Sequence, residues 1–272
     1  MCSLNMTEAE LLFTDVLNCK RSSLYLDKDM ALDQAQSYFV SGVLKRRIRG
    51  EPIQYILGKT EFMGLEFKVT TAVLIPRPET ELLVEIAIET VHGAGPLAHK
   101  ILDVGTGSGC IAVSLAKSIK NADITAIDFS KRALEIAKRN ALLNNVKVNF
   151  LLSDLFSSPK LRPASYGLIV SNPPYIAATE IDTLQPEIKY EPRLALNGGD
   201  DGLDFYRRII NQAPVYLKQG GFLIMEIGFG QKDAVKNIFK KQGYFEIMNI
   251  AKDYNNIDRV VVAKKRESKW IS

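Results

Sequence analysis

The stretch ILDVGTGSG at residues 101–109 decides the fold of this chain. Ile101–Val104 has the length and composition of a short buried strand. The glycine turn Gly105–Gly109 follows, and a helix is predicted from there to about residue 119. Glycines let the backbone approach a ligand closely at a helix N-terminus. Strand and helix patterns alternate from this point onward, which indicates an α/β sheet with a ligand site at the turn.

Polar side chains follow the next three predicted strands. The strands and their end residues are 124–127 with Asp128, 146–151 with Asp154, and 166–170 with Asn172. In open α/β sheets, ligands bind beyond the carboxyl ends of the strands. A carboxylate placed like Asp128 can accept hydrogen bonds from ribose hydroxyls. Asp128 or Asp154 alone is more simply a helix N-cap or turn carboxylate, but their joint placement favours a ligand site.

The sequence SNPPY at residues 171–175 ends the strand before it, because neither proline has an N–H for the ladder. The prolines stiffen the loop that holds Asn172. The Asn172 side-chain oxygen and the Pro173 carbonyl are two acceptors, and Tyr175 supplies a flat face. This set suits a planar group that carries an NH2. The alternative is a proline-rich turn in which Asn172 caps its own backbone.

The chain is predicted to have three parts. Residues 1–54 form a small helical domain, residues 55–77 a β-hairpin linker, and residues 78–272 an α/β domain. The next strand is predicted over residues 222–227. Two further strands, 245–250 and 259–263, are close enough in sequence to form a terminal antiparallel hairpin.

Within the helical domain, TEAE at residues 7–10 predicts a capping box ahead of an apolar run. A second helix is predicted over residues 32–48. Its expected buried side chains are Phe39, Val40, Val43 and Leu44.

Two arginines outside the strand ends are further candidates for substrate contact. Arg77 lies between two prolines in IPRPETE, residues 75–81, and is predicted to project into a cleft. The alternative is that this stretch is only a capped helix start. Arg193 lies in the loop 176–201, which is long enough to be a lid over an acceptor site. Arg193 contacts the substrate or pairs with a neighbouring carboxylate, and the sequence leaves both open.

The composition is that of a globular protein, with 46% hydrophobic and 24% charged residues among 272. The net charge of +4 allows a nucleic-acid-bearing partner without requiring one. No apolar run approaches the roughly 18 residues of a membrane span, and the N-terminus lacks a signal-peptide pattern. A cytoplasmic protein is therefore expected. No metal site is predicted, because the chain's cysteines and histidines have no zinc spacing: Cys2, Cys19, Cys110, His92 and His99.

The turn reads Gly-x-Gly-x-Gly, which is a poor match to a dinucleotide site. Together with the polar groups at the later strand ends, it resembles the class I S-adenosylmethionine-dependent methyltransferases. Four stretches resemble the peptide chain release factor N5-glutamine methyltransferases (PrmC/HemK): PIQYILG at 52–58, LIPRPETE at 74–81, DVGTGSG at 103–109, and NGG to GL at 197–203.

The resemblance implies a Rossmann-like seven-stranded sheet that ends in an antiparallel hairpin, preceded by the helical domain and linker. It implies methyl transfer from S-adenosylmethionine, leaving S-adenosylhomocysteine, to the glutamine amide nitrogen of the Gly-Gly-Gln motif in class I release factors. These release factors would be the partners of a monomeric enzyme, with the N-terminal domain gripping them.

The same resemblance assigns roles to residues by position. The cofactor contacts would be Gly105, Thr106, Gly107, Ser108, Gly109, Asp128, Asp154, Leu155 and Asn172. Family members often have a Trp where Leu155 stands, so a stacking surface is missing here. The substrate glutamine would be bound by Asn172, Pro173, Pro174 and Tyr175, with Arg77 and Arg193 as further contacts. Asn172, Pro173 and Tyr175 would be the catalytic groups.

Three other functions fit parts of the pattern. An adenine N6 methyltransferase would use the same Asn-Pro-Pro-Tyr geometry, but it must extrude a base and grip phosphates. Only one basic cluster, residues 45–49, is available for that. A non-catalytic module that keeps the cofactor pocket is the second alternative, and a nicotinamide dehydrogenase is the last.

Overall fold

The computed structural model describes residues 6–27 and 29–267. Its N-terminal part is built from four helices: Glu8–Val16 (α1), Ser23–Leu26 (α2), Gln34–Ile48 (α3) and Ile53–Leu57 (α4). The predicted capping box is confirmed. The Glu10 N–H donates to Thr7 Oγ1 at 3.3 Å, and the Thr7 N–H donates to Glu10 Oε2 at 2.6 Å. This reciprocal pair satisfies backbone donors that the first turn of a helix leaves free.

The core of this N-terminal part is small. Leu12 of α1, Val43 of α3, and Ile53 and Ile56 of α4 form it, with Val40 packed at its edge. The prediction that Phe39 and Leu44 are buried is wrong, because both are exposed. Helix α3 packs against α1 and α4 along one narrow face. Side chains on its flanks therefore remain at the surface.

The linker is a β-hairpin of Lys59–Phe62 (β1) and Leu65–Lys68 (β2), paired antiparallel. Phe62 and Phe67 are buried in the main core, so the hairpin is part of the domain that follows. Asn140 Oδ1 accepts from the Lys68 N–H at 2.7 Å, and Asn140 Nδ2 donates to the Lys68 carbonyl at 3.0 Å. The buried Asn140 amide thus satisfies both backbone groups of Lys68 at the end of β2.

A seven-stranded sheet forms the centre of the molecule. Its strands are Lys100–Val104 (β3), Asp123–Asp128 (β4), Asn149–Leu152 (β5), Tyr166–Ser171 (β6), Leu217–Glu226 (β7), Phe245–Lys252 (β8) and Asp258–Lys265 (β9). The spatial order is β5-β4-β3-β6-β7-β9-β8, and β9 runs antiparallel to both of its neighbours. The predicted fold class, including the terminal hairpin, is confirmed. The chain leaves β3 in one direction and returns on its other side with β6, so a crevice opens between these two strands.

Helices cover both faces of the sheet. Glu79–Ala94 (α5), Cys110–Ser118 (α6) and Lys131–Leu143 (α7) pack on one face, and Asp204–Tyr216 (α8) and Lys232–Gln242 (α9) on the other. Adjacent strand residues alternate between the two cores. Ile101 packs in the first and Leu102 in the second. Burial on both faces explains why these strands are continuous apolar runs.

Two strands begin several residues away from their predicted start. The third strand was expected from residue 146 but begins at Asn149. The Val146 N–H instead donates to the Ala141 carbonyl at 3.0 Å and closes the end of α7. The fifth was expected over 222–227 but runs over Leu217–Glu226, because Leu217 pairs with Tyr166 across a register shift. The register shift includes a glycine, which interrupts the apolar strand pattern. The sequence therefore did not indicate that the strand begins at Leu217.

No helix within residues 6–27 and 29–267 is long and apolar enough to cross a membrane. The same residues contain no group of three His, Cys, Asp or Glu side chains that could hold a metal ion. Cys2 and the extreme ends of the first and third predicted domains lie outside the described residues.

Candidate active site

The glycine turn lies between β3 and α6, and its backbone is open to a ligand. Gly105 has φ 77° and Gly107 has φ 55°, values in the left-handed region that glycine adopts readily. The Gly105 and Thr106 N–H groups both donate to the Ile127 carbonyl at 2.9 Å, which ties the turn to β4. A Cβ at Gly105 or Gly107 would meet no atom within 4 Å. A side chain there would instead fill the space above the turn.

Gly109 is required for packing instead. A Cβ at this position would lie 3.0 Å from Ala137 Cβ on α7. Close approach of two helices at the start of α6 therefore depends on this glycine. Thr106 and Ser108 are buried beneath the turn. Thr106 Oγ1 donates to Asp103 Oδ2 at 2.6 Å, and the Ser108 carbonyl accepts from Asn140 Nδ2 at 2.8 Å.

Asp128 ends β4 directly beside the turn. Its Oδ2 accepts from the Gly107 N–H at 2.9 Å, and its Oδ1 accepts from the Ser130 N–H at 2.8 Å. Burial raises the pKa of this carboxyl, and the backbone hydrogen bonds oppose the rise. Each carboxylate oxygen has a further lone pair. Asp128 is thus held in place and can still accept hydrogen bonds from a diol.

Asp103 in β3 was not among the predicted site residues. It is fully buried, and burial raises its pKa to about 7. Its Oδ1 has no hydrogen-bond partner in the described part of the chain. The signal in the sequence was an acidic residue inside an otherwise apolar strand, next to the glycine turn.

The Asn-Pro-Pro-Tyr segment begins where β6 ends. Ser171 Oγ donates to the Val104 carbonyl at 2.7 Å, so the ends of β6 and β3 are joined. Asn172 is half-buried, and its Nδ2 donates to Thr80 Oγ1 at 3.0 Å. Gln231 Nε2 donates to the Tyr175 carbonyl at 2.9 Å. Burial raises the pKa of Tyr175 to about 12, so this phenol stays neutral.

One cleft joins most of these groups, but the predicted residue Tyr175 does not line it and packs against the core beside α8 and α9. Eight of the predicted residues line it: Gly105, Gly107, Asp128, Asp154, Leu155, Asn172, Pro173 and Pro174. The sequence missed several apolar walls, among them Leu74, Phe129, Leu194 and Phe205. Phe129 had a signal, since it is an aromatic residue directly after the strand-end carboxylate. The empty space in the cleft, counted together with its open mouth, is about 980 Å³.

The loop 176–201 contains three short 3-10 helices: Ile181–Thr183, Pro186–Tyr190 and Arg193–Ala195. Pro192, Leu194 and Ala195 from this loop line the cleft. The Gly198 N–H donates to the Ile176 carbonyl at 2.8 Å, which closes the loop at its base. The loop therefore forms one wall of the cleft.

Three of the four predicted charged contacts pair with other charged side chains. Arg77 Nη2 lies 2.5 Å from Glu191 Oε1, and the Glu191 side chain is only 2% exposed. Arg193 pairs with Asp182 at 2.9 Å, and its side chain is 58% exposed. Asp154 accepts from Arg208 at 2.8 Å at the surface. The carboxylate-pairing alternative for Arg193 is thus the arrangement observed.

The chemistry of the cleft fits S-adenosylmethionine. The open glycine backbone can face the amino-acid end, Asp128 can accept from ribose hydroxyls, and apolar walls such as Phe129 suit an adenine ring. A phosphate-bearing dinucleotide fits less well, since acidic side chains lie on both sides of the turn.

Comparisons with known proteins agree with this fit. A family model described as the PrmC N-terminal domain matches residues 4–58, and one described as the methyltransferase small domain matches residues 79–189. A release factor glutamine methyltransferase from Geobacter sulfurreducens is 44% identical over 255 residues, which is 93% of this chain and 87% of that protein. One from Thermodesulfovibrio yellowstonii is 42% identical over 268 residues, covering 98% and 95%.

Among solved structures, a methyltransferase from Pyrococcus furiosus matches with a TM-score of 0.55 at 19% identity. The match covers 83% of this chain and 99% of that one, and it shows the fold alone.

The sheet order, the glycine turn and the strand-end groups around one cleft define a class I S-adenosylmethionine-dependent methyltransferase. Two release factor glutamine methyltransferases are more than 40% identical to this chain over nearly its whole length. The chain belongs to the release factor glutamine methyltransferase family.

Proposed function

We propose that this enzyme transfers a methyl group from S-adenosylmethionine to the side-chain N5 amide nitrogen of the glutamine in the Gly-Gly-Gln motif of class I release factors. The observation that carries the proposal is that Asn172 lines the same cleft as Gly105, Gly107 and Asp128. An amide acceptor site and a cofactor site therefore share one cavity. The family membership supplies the substrate class.

Gly105–Gly109 and Asp128 hold the cofactor, with Asp154 and Leu155 at the border of the adenine. When bound, S-adenosylmethionine supplies an electrophilic methyl group on a sulfonium. The chain then has to orient a weak nucleophile, because the lone pair of an amide nitrogen is delocalised. Asn172 Oδ1 and the Pro173 carbonyl each accept one N–H of the substrate amide. Orientation of this kind is worth up to roughly 7–11 kcal/mol in favourable intramolecular cases.

Tyr175 packs against the plane of the substrate amide, and Pro174 fixes the direction of the loop. Gly228 leaves room for the Tyr175 ring, because a Cβ at this glycine would lie only 2.9 Å from Tyr175 Cδ2. The acceptors at Asn172 and Pro173 also stabilise the positive charge that develops on nitrogen as the new C–N bond forms. The excess proton leaves to water.

The proposal is tested with labelled S-adenosylmethionine, a purified class I release factor, and the same factor with its Gly-Gly-Gln glutamine changed to alanine. Label on the first and none on the second is expected. Label on both would place the methyl group on another residue, and label on neither, with the cofactor shown to bind, would contradict the proposed substrate. Adenine-containing RNA serves as a further substrate and is expected to take no label.

We also propose that the N-terminal helical domain, residues 1–54, and the loop 176–201 grip the release factor outside the glutamine. A single glutamine side chain is too small to select one protein. Helix α3 supports this, because Tyr38 and Ile48 are 84% and 85% exposed on it. With Lys45 they lie at a spacing of seven and ten residues, on one face of the helix. Exposed aromatic and apolar side chains of this kind are typical anchors of protein interfaces.

The double variant Tyr38→Ala, Ile48→Ala is expected to raise KM for the release factor by about fivefold or more, since an interface anchor is worth at least ~1 kcal/mol. The Kd for S-adenosylmethionine and kcat at saturating release factor should stay at wild-type values. Tyr244→Ala is the matched control, because Tyr244 is also exposed but lies beside β8 at the far edge of the sheet. An equal rise in KM for the control, or none for the double variant, would exclude α3 as the docking surface.

The enzyme acts as a monomer in the cytoplasm in this proposal, where release factors are found. Sedimentation of the purified chain alone and with its release factor tests the stoichiometry. A one-to-one complex is expected.

A further inference from the structure

Three polar side chains meet beside the acceptor site, and two of them are buried. Thr80 lies in the first turn of α5, Asn172 at the end of β6, and Glu226 at the end of β7. Thr80 Oγ1 donates to Glu226 Oε2 at 2.6 Å, and Asn172 Nδ2 donates to Thr80 Oγ1 at 3.0 Å. The Glu226 carboxyl also lies close to the Asn172 amide, which lowers the pKa of that carboxyl. Thr80 and Glu226 are almost completely buried.

The directions of these hydrogen bonds follow from the number of protons available. A hydroxyl has one proton to donate, and Thr80 gives it to Glu226. The remaining lone pairs of Thr80 can only accept. An ionised carboxylate also only accepts. The Asn172 amide therefore meets two acceptors on this side, and both favour its NH2 group over its oxygen.

We propose that Thr80 and Glu226 are positioning residues that fix the orientation of the Asn172 amide, so that Oδ1 faces the substrate nitrogen. With its NH2 group held by these two side chains, Asn172 presents its oxygen on the opposite side, toward the cleft. A flipped amide would place its carbonyl oxygen against two oxygen acceptors and would turn NH2 toward the NH2 of the substrate. This inference rests on the proposed function.

This assigns a physical role to the IPRPETE stretch. Pro78 is the N-cap residue of α5, and Thr80 lies in the first turn of this helix. Thr80 is therefore in hydrogen-bond contact with Asn172, directly after the end of β6. Thr80 bonds to Glu226 across 146 positions of the chain. Within this stretch, Thr80 contacts Asn172 of the acceptor site. Arg77 instead pairs with Glu191 of the loop 176–201.

The electrostatics of Glu226 give the arrangement a pH dependence. Burial raises the pKa of Glu226 to about 7, while Thr80, Arg259 and Asn172 lower it and Glu79 raises it. A protonated Glu226 could donate to Asn172 Oδ1 and would stabilise the flipped amide. The wild-type kcat is therefore expected to fall as the pH decreases through about 7.

The test compares variants for kcat on the release factor at a pH above this transition, with Kd for S-adenosylmethionine measured on each. Thr80→Val keeps the shape but removes the hydroxyl, and we expect kcat to fall by about 10–100-fold, as for a small misplacement of a reacting group. Cofactor affinity should not change. Thr80→Ser restores the hydroxyl and should recover most of the activity, which loss of packing alone would not allow.

Thr125→Val is the matched control, because Thr125 carries a buried hydroxyl on β4, away from the acceptor site. Its kcat and its pH profile should equal those of the wild type. Glu226→Gln provides an independent variant if Thr80→Val fails to fold. Its NH2 would face the NH2 of Asn172, so kcat should fall by a similar factor and lose its pH transition near 7.

Wild-type kcat in both Thr80→Val and Glu226→Gln would overturn the inference while leaving the proposed function intact. A parallel loss of cofactor affinity would also overturn it, since Thr80 would then support the cleft as a whole. A wild-type enzyme that labels no release factor would remove the proposed function, and this inference with it.

Discussion

Replacing Asn172 with alanine is expected to lower kcat for release-factor methylation by about 10²–10³-fold, the usual cost of removing one preorganised group that stabilises charge in the transition state. The reason is that Asn172 Oδ1 is one of two acceptors for the substrate amide. The cofactor is held mainly by Gly105–Gly109 and Asp128, which the substitution does not touch. The Kd for S-adenosylmethionine, measured by calorimetry, should therefore stay close to that of the wild type.

Asn144→Ala is a suitable control for the loss of a buried amide. Asn144 Nδ2 donates to the Glu66 carbonyl at 2.9 Å, which holds the linker hairpin and not the acceptor site. This variant should lose stability and keep its kcat at a temperature where it is folded. If Asn172→Ala lost cofactor affinity and kcat in the same proportion, Asn172 would be a cofactor residue and the acceptor role would be wrong.

The fold could be predicted from the sequence because its signals are local. Each buried strand is a short apolar run, and each ends at a polar or glycine residue within a few positions. The glycine turn, Asp128 and Asn172 were therefore assigned to one edge of the sheet before any contact was known. Parallel strands bring their carboxyl ends to the same edge, so the cleft followed from topology.

The partners of the charged and hydroxyl side chains could not be predicted in the same way. Arg77 was expected in the cleft, yet it pairs with Glu191, 114 positions away. The sequence pattern indicated that Thr80 is an ordinary residue of a helix start and that Glu226 lies inside the predicted strand 222–227. Their hydrogen bond depends on how α5 packs against β7, which no local pattern specifies. The exposed flanks of α3 were missed for a related reason, because helical periodicity does not show how wide a face the neighbours cover.

The second large effect is a loss of stability when the ion pair between Arg77 and Glu191 is broken. Arg77→Gln is expected to lower the free energy of unfolding by about 1–3 kcal/mol, the cost of leaving a buried polar group without its partner. Glu191 is 2% exposed and its other oxygen already has no hydrogen-bond partner in the described part of the chain. Since Pro192 next to it lines the cleft, the Kd for S-adenosylmethionine should also rise. Urea denaturation with and without cofactor measures both effects.

The pH dependence of Arg77→Gln identifies Glu191 as the cause. Burial raises the pKa of Glu191 above its ordinary value, and Arg77 opposes this. Without Arg77 the folded-state pKa rises further above the unfolded one. A carboxyl of this kind favours folding while it is protonated, and the benefit is lost as the pH rises through its folded pKa. The deficit relative to the wild type should therefore be smaller near pH 5 than near pH 8.

Arg193→Gln is the matched control for this variant, since it also removes an arginine that pairs with a carboxylate of the loop 176–201. Arg193 and Asp182 are 58% and 75% exposed, and a solvated pair of this kind is worth at most about 1 kcal/mol. Little change in stability, and none in its pH dependence, is expected. An equal loss of stability in both variants would mean that removing any positive charge near the loop destabilises the protein. The buried position of Glu191 would then not be the cause. A deficit only in Arg77→Gln would identify this ion pair as the contact that holds the loop 176–201 against the linker and closes the cleft.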